Sequence, residues 1–194
     1  MNSTLKYYED NALAFIQNTL DKKMDIQYEY FLKDLRPKSH ILDAGCGSGR
    51  DSLYFKKQGY TITAFDISKK MCDFASNLLD QEVLELSFES MDFKDRFDAI
   101  WASASLLHIS KKNMPSVLQK LARAIKPEGL IYASFKAGEE EFIKEERHFN
   151  SYSKQSFSEL IKTSPFTIKE VYLLEDTRPN KEGEFWLNTL LVLK

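Results

Sequence analysis

Residues 43–49 read Asp-Ala-Gly-Cys-Gly-Ser-Gly, and this run constrains the fold more than any other part of the chain. It follows the apolar pair Ile41-Leu42 and precedes a helix-like stretch at 51–57. An acid followed by glycine at every second position, between a strand and a helix, describes a turn that a ligand can touch. Glycine has no Cβ, so the backbone can take positive φ and a ligand can come close. The N–H groups opening the next helix are then expected to face that ligand. The spacing argues against one ligand class. In the dinucleotide fingerprint G-x-G-x-x-G, a start at Gly45 places the third glycine on Arg50, and a start at Gly47 places it on Ser52.

The chain has 194 residues, enough for one domain with a sizeable core, and 43% are hydrophobic against 29% charged. A net charge of −2 lacks the basic surplus expected of a nucleic-acid partner. The only two cysteines, Cys46 and Cys72, give neither a disulfide framework nor zinc spacing, so no metal is expected and a reducing, cytoplasmic setting fits. The polar opening residues lack a signal-peptide core, and no apolar run reaches membrane-span length.

Periodicity places helical segments over 11–35, then strands at 41–44, 60–65, 83–88, 97–102 and 130–135, with helices between them. Ser68 is expected to cap the helix at 69–79, and Ser156 to Glu159 has capping-box form within a helix around 154–162. The charged stretch 136–147 reads as a solvated loop or helix face. Two final strands, at 166–174 and 185–193, are separated only by a loop. The expected fold is α/β: a Rossmann-like three-layer sandwich with a mostly parallel seven-stranded sheet and an antiparallel last strand. Ligands in such sheets lie outside the carboxyl ends of the strands. That points to the glycine turn, Asp66, Asp92 and the segment Ser103 to His108.

Asp66 ends the second strand, where a carboxylate can accept two hydrogen bonds from a ribose diol. It is also a residue that could merely start the turn before Ser68; position and type together favour the ligand. Asp92, between Met91 and Phe93, can accept from an adenine amino group, with a solvated turn as the plainer alternative. Ile67 and Met71 suit the face of a purine or the core.

Residues 41–50 resemble the first motif of class I S-adenosylmethionine-dependent methyltransferases. Asp66 and Asp92 fall where that family keeps its ribose and adenine acids, and Phe97 to Trp101 resembles its fourth strand. Ile125 to Leu130 resembles its turn into the fifth strand, with Glu128 where a second glycine is more usual. Gly49-Arg50-Asp51-Ser52, Trp101 to His108 and Trp186-Leu187-Asn188 are similar to the small tellurite-resistance-related members. The resemblance implies that S-adenosyl-L-methionine is the cofactor. It implies that the backbone at Gly45 and Gly47, and again around Ala102 and Ser103, meets its methionine portion, with Asp43 and Cys46 also among the cofactor-binding residues. Asp66 would take the ribose, and Ile67, Met71, Asp92 and Phe93 the adenine. It implies an N-terminal helical lid over 1–38, on a core at 39–194, that brings Tyr7, Tyr8 and Asn11 over the cofactor.

His108 is the best candidate for a catalytic base, because it lies just past the fourth strand and titrates near neutrality. It is also compatible with a turn-capping or substrate-contacting role. Arg50 could pair with a ligand carboxylate or with Asp51. Arg147, His148 and Tyr152 are candidates for the substrate rim. Cys46 lacks a nearby base and reads as a packing residue. The expected function is methyl transfer to a small-molecule acceptor, without nucleic-acid or membrane partners. A nicotinamide-dependent oxidoreductase and a cofactor-binding protein without turnover are the alternatives.

Overall fold

The computed structural model describes residues 3–176, 178 and 181–194. Strands β1 (His40–Ala44), β2 (Thr61–Asp66), β3 (Leu84–Glu85), β4 (Phe97–Ala102) and β5 (Ile125–Ala137) pair in parallel in the order β3-β2-β1-β4-β5. The last two strands, β8 (Phe166–Glu175) and β9 (Phe185–Leu193), form a hairpin, and β9 runs antiparallel to β5 from Leu130↔Val192 to Lys136↔Trp186. These are the expected seven strands with an antiparallel last strand. The strand order reverses between β1 and β4, which opens a crevice beyond their carboxyl ends.

Alternation along the strands makes the sheet a middle layer. Leu42 and Ile100 face a core built with Val117, Leu118 and Leu121 of α6 (Met114–Ala124) and with Phe157 and Ile161 of α7 (Lys154–Lys162). Their neighbours Ile41 and Trp101 face the opposite core. It is built with Phe31 of α3 (Asp25–Leu32), Phe55 of α4 (Arg50–Lys57), and Cys72 and Ala75 of α5 (Lys69–Leu79). Period two sends successive side chains to opposite faces, so a continuous apolar run becomes a strand buried on both sides.

Four details differ from the sequence expectation. The N-terminal helical stretch is three short helices, α1 (Ser3–Asp10), α2 (Ala12–Thr19) and α3, rather than a region beginning at 11. Strand β3 is cut to two residues, because Ser87 and Ser90 exchange hydroxyl-to-backbone bonds and turn the chain out of the sheet. The capping box on α7 is Ser153 with Ser156, one turn earlier than expected. Finally, the charged stretch after β5 is a β-hairpin, β6 (Glu141–Lys144) and β7 (Arg147–Tyr152). Its turn holds Glu145 and Glu146 at φ 50° and 61°. Positive φ at both central residues is typical of tight hairpins and usually draws Asn-Gly or Asp-Gly, which explains why this hairpin is hidden in the sequence. Ser151 and Tyr152 of β7 dock beside Lys136 and Ala137 of β5, above the crevice.

Candidate functional site

A cavity of about 1340 Å³ occupies the carboxyl ends of the strands, beneath α1 and α2. It exceeds the roughly 300–1,000 Å³ of an ordinary single-ligand pocket. One end is lined by the glycine turn, Asp66, Ile67 and Met71, and the other by Tyr7, Tyr8, His108 and Arg147.

The glycine turn is shaped by positive φ at Gly45 (76°) and Gly47 (54°). A Cβ on Gly45 would sit 2.5 Å from the Cβ of Ser105, so a side chain here would force β1 and β4 apart. The N–H groups of the turn are already engaged. Gly45 and Cys46 both donate to the Phe65 carbonyl at 2.9 Å, and Gly47 donates to Asp66 Oδ2 at 2.8 Å. The turn therefore offers a ligand open space more than free donors from Gly45 to Gly47, a refinement of the expectation drawn from the glycines.

Asp66 is anchored by that bond and by Ser68 N–H at 2.9 Å on Oδ1. Burial pushes its carboxyl up, against the backbone donors at Ser68 and Gly47 that favour the ionised form. Asp43 does not line the cavity; it is buried under the turn, where Ser52 Oγ donates to it at 2.6 Å. Ala102 is likewise fully buried, whereas Ser103 lines the cavity. Cys46 lines the turn, and burial pushes its thiol well above the ordinary range, which leaves it a packing group.

The adenine expectation at Asp92 and Phe93 is corrected by the structure. Asp92 is an exposed residue paired with Arg123 at 3.0 Å, and Phe93 packs edge-on against Phe97 and joins the core. The cause is the early end of β3: Leu86, Ser87, Phe88 and Glu89 take the place beside the cavity, and Asp92 falls farther along the connection to β4. The Ser-x-x-Ser spacing of residues 87 and 90 was the available signal, since it is a turn former.

Arg50 resolves toward its neighbour. Its Nε and Nη2 hold both oxygens of Asp51 at 2.6 and 2.9 Å, and Nη1 donates to the Thr19 carbonyl. Tyr28 and Trp101 also donate to Asp51, at 2.5 and 2.8 Å. Burial opposes ionisation of Asp51, yet Arg50 and these donors hold its carboxyl below the ordinary value. The cluster ties α2, α3, α4 and β4 together, and Thr19, Arg50 and Asp51 form part of the cavity wall.

At the other end, His108 closes a 3-10 turn, Leu106–His108, just after β4. Its Nδ1 lies 2.6 Å from the His148 carbonyl and its Nε2 lies 2.8 Å from the Tyr8 hydroxyl. A carbonyl only accepts, so Nδ1 carries the ring proton, Nε2 is a lone pair, and Tyr8 donates to it. Burial lowers the imidazole to about 4, with Arg147 adding repulsion, so the ring is neutral at pH 7. Tyr8 is thus tied to His108, and its phenol is pushed up to about 12 by burial against the pull of Arg147. Of the rim candidates, Arg147 lines the cavity, His148 pairs with Glu141 at 2.7 Å, and Tyr152 is buried in the core. Tyr7 and Asn11 line it as well. Ser105, within the expected segment Ser103 to His108, lines the cavity, and Phe15, Ser134 and Phe149 are cavity residues that no sequence pattern placed at a site.

The α1 helix is held in place by Glu9, whose Oε1 accepts from Ser68 Oγ at 2.7 Å and from Lys70 N–H at 3.2 Å. Thr4 Oγ1 accepts from His148 N–H at 3.0 Å. Among the described residues no helix is long and apolar enough to cross a membrane.

Residues 41–129 match a family model described as a methyltransferase domain. The ubiquinone biosynthesis O-methyltransferase of Coxiella burnetii is 29% identical over 141 residues, covering 66% of this chain and 59% of that protein. The chain spans 41–59% of the length of curated relatives such as these. Among solved structures, the 1,6-didemethyltoxoflavin-N1-methyltransferase of Burkholderia thailandensis, crystallised with 1,6-didemethyltoxoflavin and S-adenosylhomocysteine, superimposes with a TM-score of 0.83 at 19% identity over 99% of this chain and 88% of that one. A TehB-like methyltransferase of Corynebacterium glutamicum gives a TM-score of 0.74 at 18% identity, over 97% of this chain and 100% of that one.

Proposed function

We propose that this chain, which belongs to the class I S-adenosylmethionine-dependent methyltransferases, transfers the cofactor's methyl group to a small-molecule acceptor. The observation that carries the proposal is the single cavity running from the glycine turn and Asp66 to Tyr8, His108 and Arg147. It has room for two ligands side by side at a strand-order reversal, the place where open α/β sheets bind.

In this reading Asp66 accepts from the ribose hydroxyls, while Ile67, Met71, Ser87 and Phe88 bound the adenine. Gly45, Cys46, Gly47 and Ser103 would bound the methionine portion, with Asp43 and Ala102 supporting them from beneath. The Cβ-free face of Gly47, where a Cβ would meet only the Phe15 ring at 3.6 Å, suits a ligand lying against the backbone. When bound, S-adenosylmethionine supplies a methyl group already activated on a sulfonium sulfur. The chain then has to align the acceptor and exclude water, and positioning of this kind contributes about 7–11 kcal/mol in favourable cases. Tyr8 and α1 roof the cavity. The free thiols Cys46 and Cys72 fit a reducing cytoplasm.

Titration calorimetry with S-adenosylmethionine, S-adenosylhomocysteine and NAD tests the cofactor. Binding of the first two, without NAD, is expected; tight NAD binding with no response to S-adenosylmethionine overturns the proposal. Release of S-adenosylhomocysteine in the presence of a panel of thiols, phenols, amines and carboxylates tests turnover.

A further inference from the structure

Arg147 has more hydrogen-bonding capacity than the protein uses. Its side chain is only 16% exposed, and its guanidinium carbon lies 4.1 Å from the Tyr7 ring centroid and 5.3 Å from that of Phe149. Nη2 donates to Glu145 at 2.5 Å, but Nε is buried without a partner. A buried N–H on a charged group is costly to leave unpaired. Glu145, the ion partner, is itself 57% exposed, so the cation inside the cavity is only partly answered. Rings surround the space: Phe142 stacks on Phe149 at 5.4 Å, and Tyr7 and Tyr8 meet edge-on at 5.5 Å.

The adjacent Tyr8–His108 pair is poorly suited to removing a proton. The imidazole lone pair is already accepting from Tyr8, and protonating the ring would create a second buried cation beside Arg147. We propose that Arg147 binds a small aromatic anion, and that the acceptor atom arrives already ionised, so that no general base is required. This rests on the methyl-transfer reading of the same cavity. The anion's electron pair forms the new bond to the methyl carbon, the carbon–sulfur pair stays on sulfur, and the two opposite charges cancel with no proton left to place.

The test begins with the affinity of wild type and Arg147→Gln for S-adenosylhomocysteine, which is expected to agree within about twofold. Failure of wild type to bind it fails the underlying reading, not this one. Benzoate and benzamide are then titrated into the loaded proteins. Wild type is expected to prefer benzoate at least tenfold, and Arg147→Gln to lose that preference. No preference in wild type, or a preference that survives in the variant, overturns the proposal. Turnover of thiophenol and 4-nitrothiophenol is then followed against pH. The groups facing Arg147 are Glu145, Tyr7, Tyr8, His108 and the neighbouring Glu141–His148 pair. With no enzyme base, the midpoint for each thiol follows that thiol's own ionisation. A shared midpoint, or no turnover of either thiol, counts against the proposal.

Discussion

Asp66 shows how one side chain can shape the backbone and line the cavity together. It ends β2, holds the glycine turn through Gly47 N–H and starts the turn into α5 through Ser68 N–H. Its position at the end of β2 beside the cavity was legible in the sequence because it depends on local features: a strand end, a following cap and a fixed spacing from the glycines. Asp92 was not placed correctly, because its relation to the cavity depends on where a weak two-residue strand lets go of the sheet. Asp66→Ala is expected to weaken S-adenosylmethionine binding by about 1–3 kcal/mol, the usual loss when a ligand hydrogen bond is removed. Calorimetry measures it, and unchanged affinity would remove Asp66 from the ribose site.

At the scale of elements, the β8–β9 hairpin is secured to β5 by charge as well as by pairing. Lys136 of β5 donates to Asp176 and Glu184, each at 2.9 Å, and Trp186 Nε1 donates to Asp176 at 2.9 Å. Burial works against ionisation of Asp176, yet Arg178, Lys136 and Trp186 outweigh it and hold the carboxyl far below its ordinary range. Lys136 and Lys181 hold Glu184 down to about 2. Both acids therefore have folded values below their unfolded values of about 4. Their contribution is fully present above pH 4 and is lost as pH falls through the folded values. Asp176→Asn is expected to lower stability at pH 7 by about 1–3 kcal/mol, the scale for losing hydrogen bonds to charged groups. The gap to wild type, read from urea midpoints, should narrow between pH 4 and pH 2. A constant gap would mean that packing, rather than charge, holds the hairpin. The pairing of β8 with β9 was legible from two apolar runs without a helix between them; the β6–β7 hairpin was not, because Glu145-Glu146 carries no turn signature.

For the whole molecule, the roof over the cavity is the least self-sufficient part. The α1 and α2 helices each have eight residues, too short to be stable alone, and α1 is held by contacts to other elements: Glu9 on α5, Tyr7 against Arg147, and Thr4 and Tyr8 on β7 and the turn after β4. A ligand beneath them stabilises roof and core together. S-adenosylhomocysteine at one hundred times its dissociation constant is expected to add about 2.7 kcal/mol. For a chain of this length that corresponds to a rise of roughly 5–10 °C in Tm. Differential scanning fluorimetry with S-adenosylhomocysteine and with NAD measures it, and a rise with NAD alone would contradict the cofactor assignment.

The sequence by itself determined the alternation of strands and helices, the glycine turn, Asp66 and the antiparallel closing strand. Each of these follows from short-range patterns: period-two burial, caps, and backbone angles open only to glycine. Tertiary structure alone decided what faces the far end of the cavity. Tyr8, His108 and Arg147 come from α1, the turn after β4 and β7, and they meet only because the β6–β7 hairpin docks on β5 beneath the N-terminal helix. That meeting decided whether His108 has a free lone pair and whether Arg147 has a free N–H. Tyr8 and the His148 carbonyl reach His108 across long chain separations, and Arg147, whose ion partner Glu145 is two residues away, stacks against Tyr7 of α1, so no local spacing encodes the meeting.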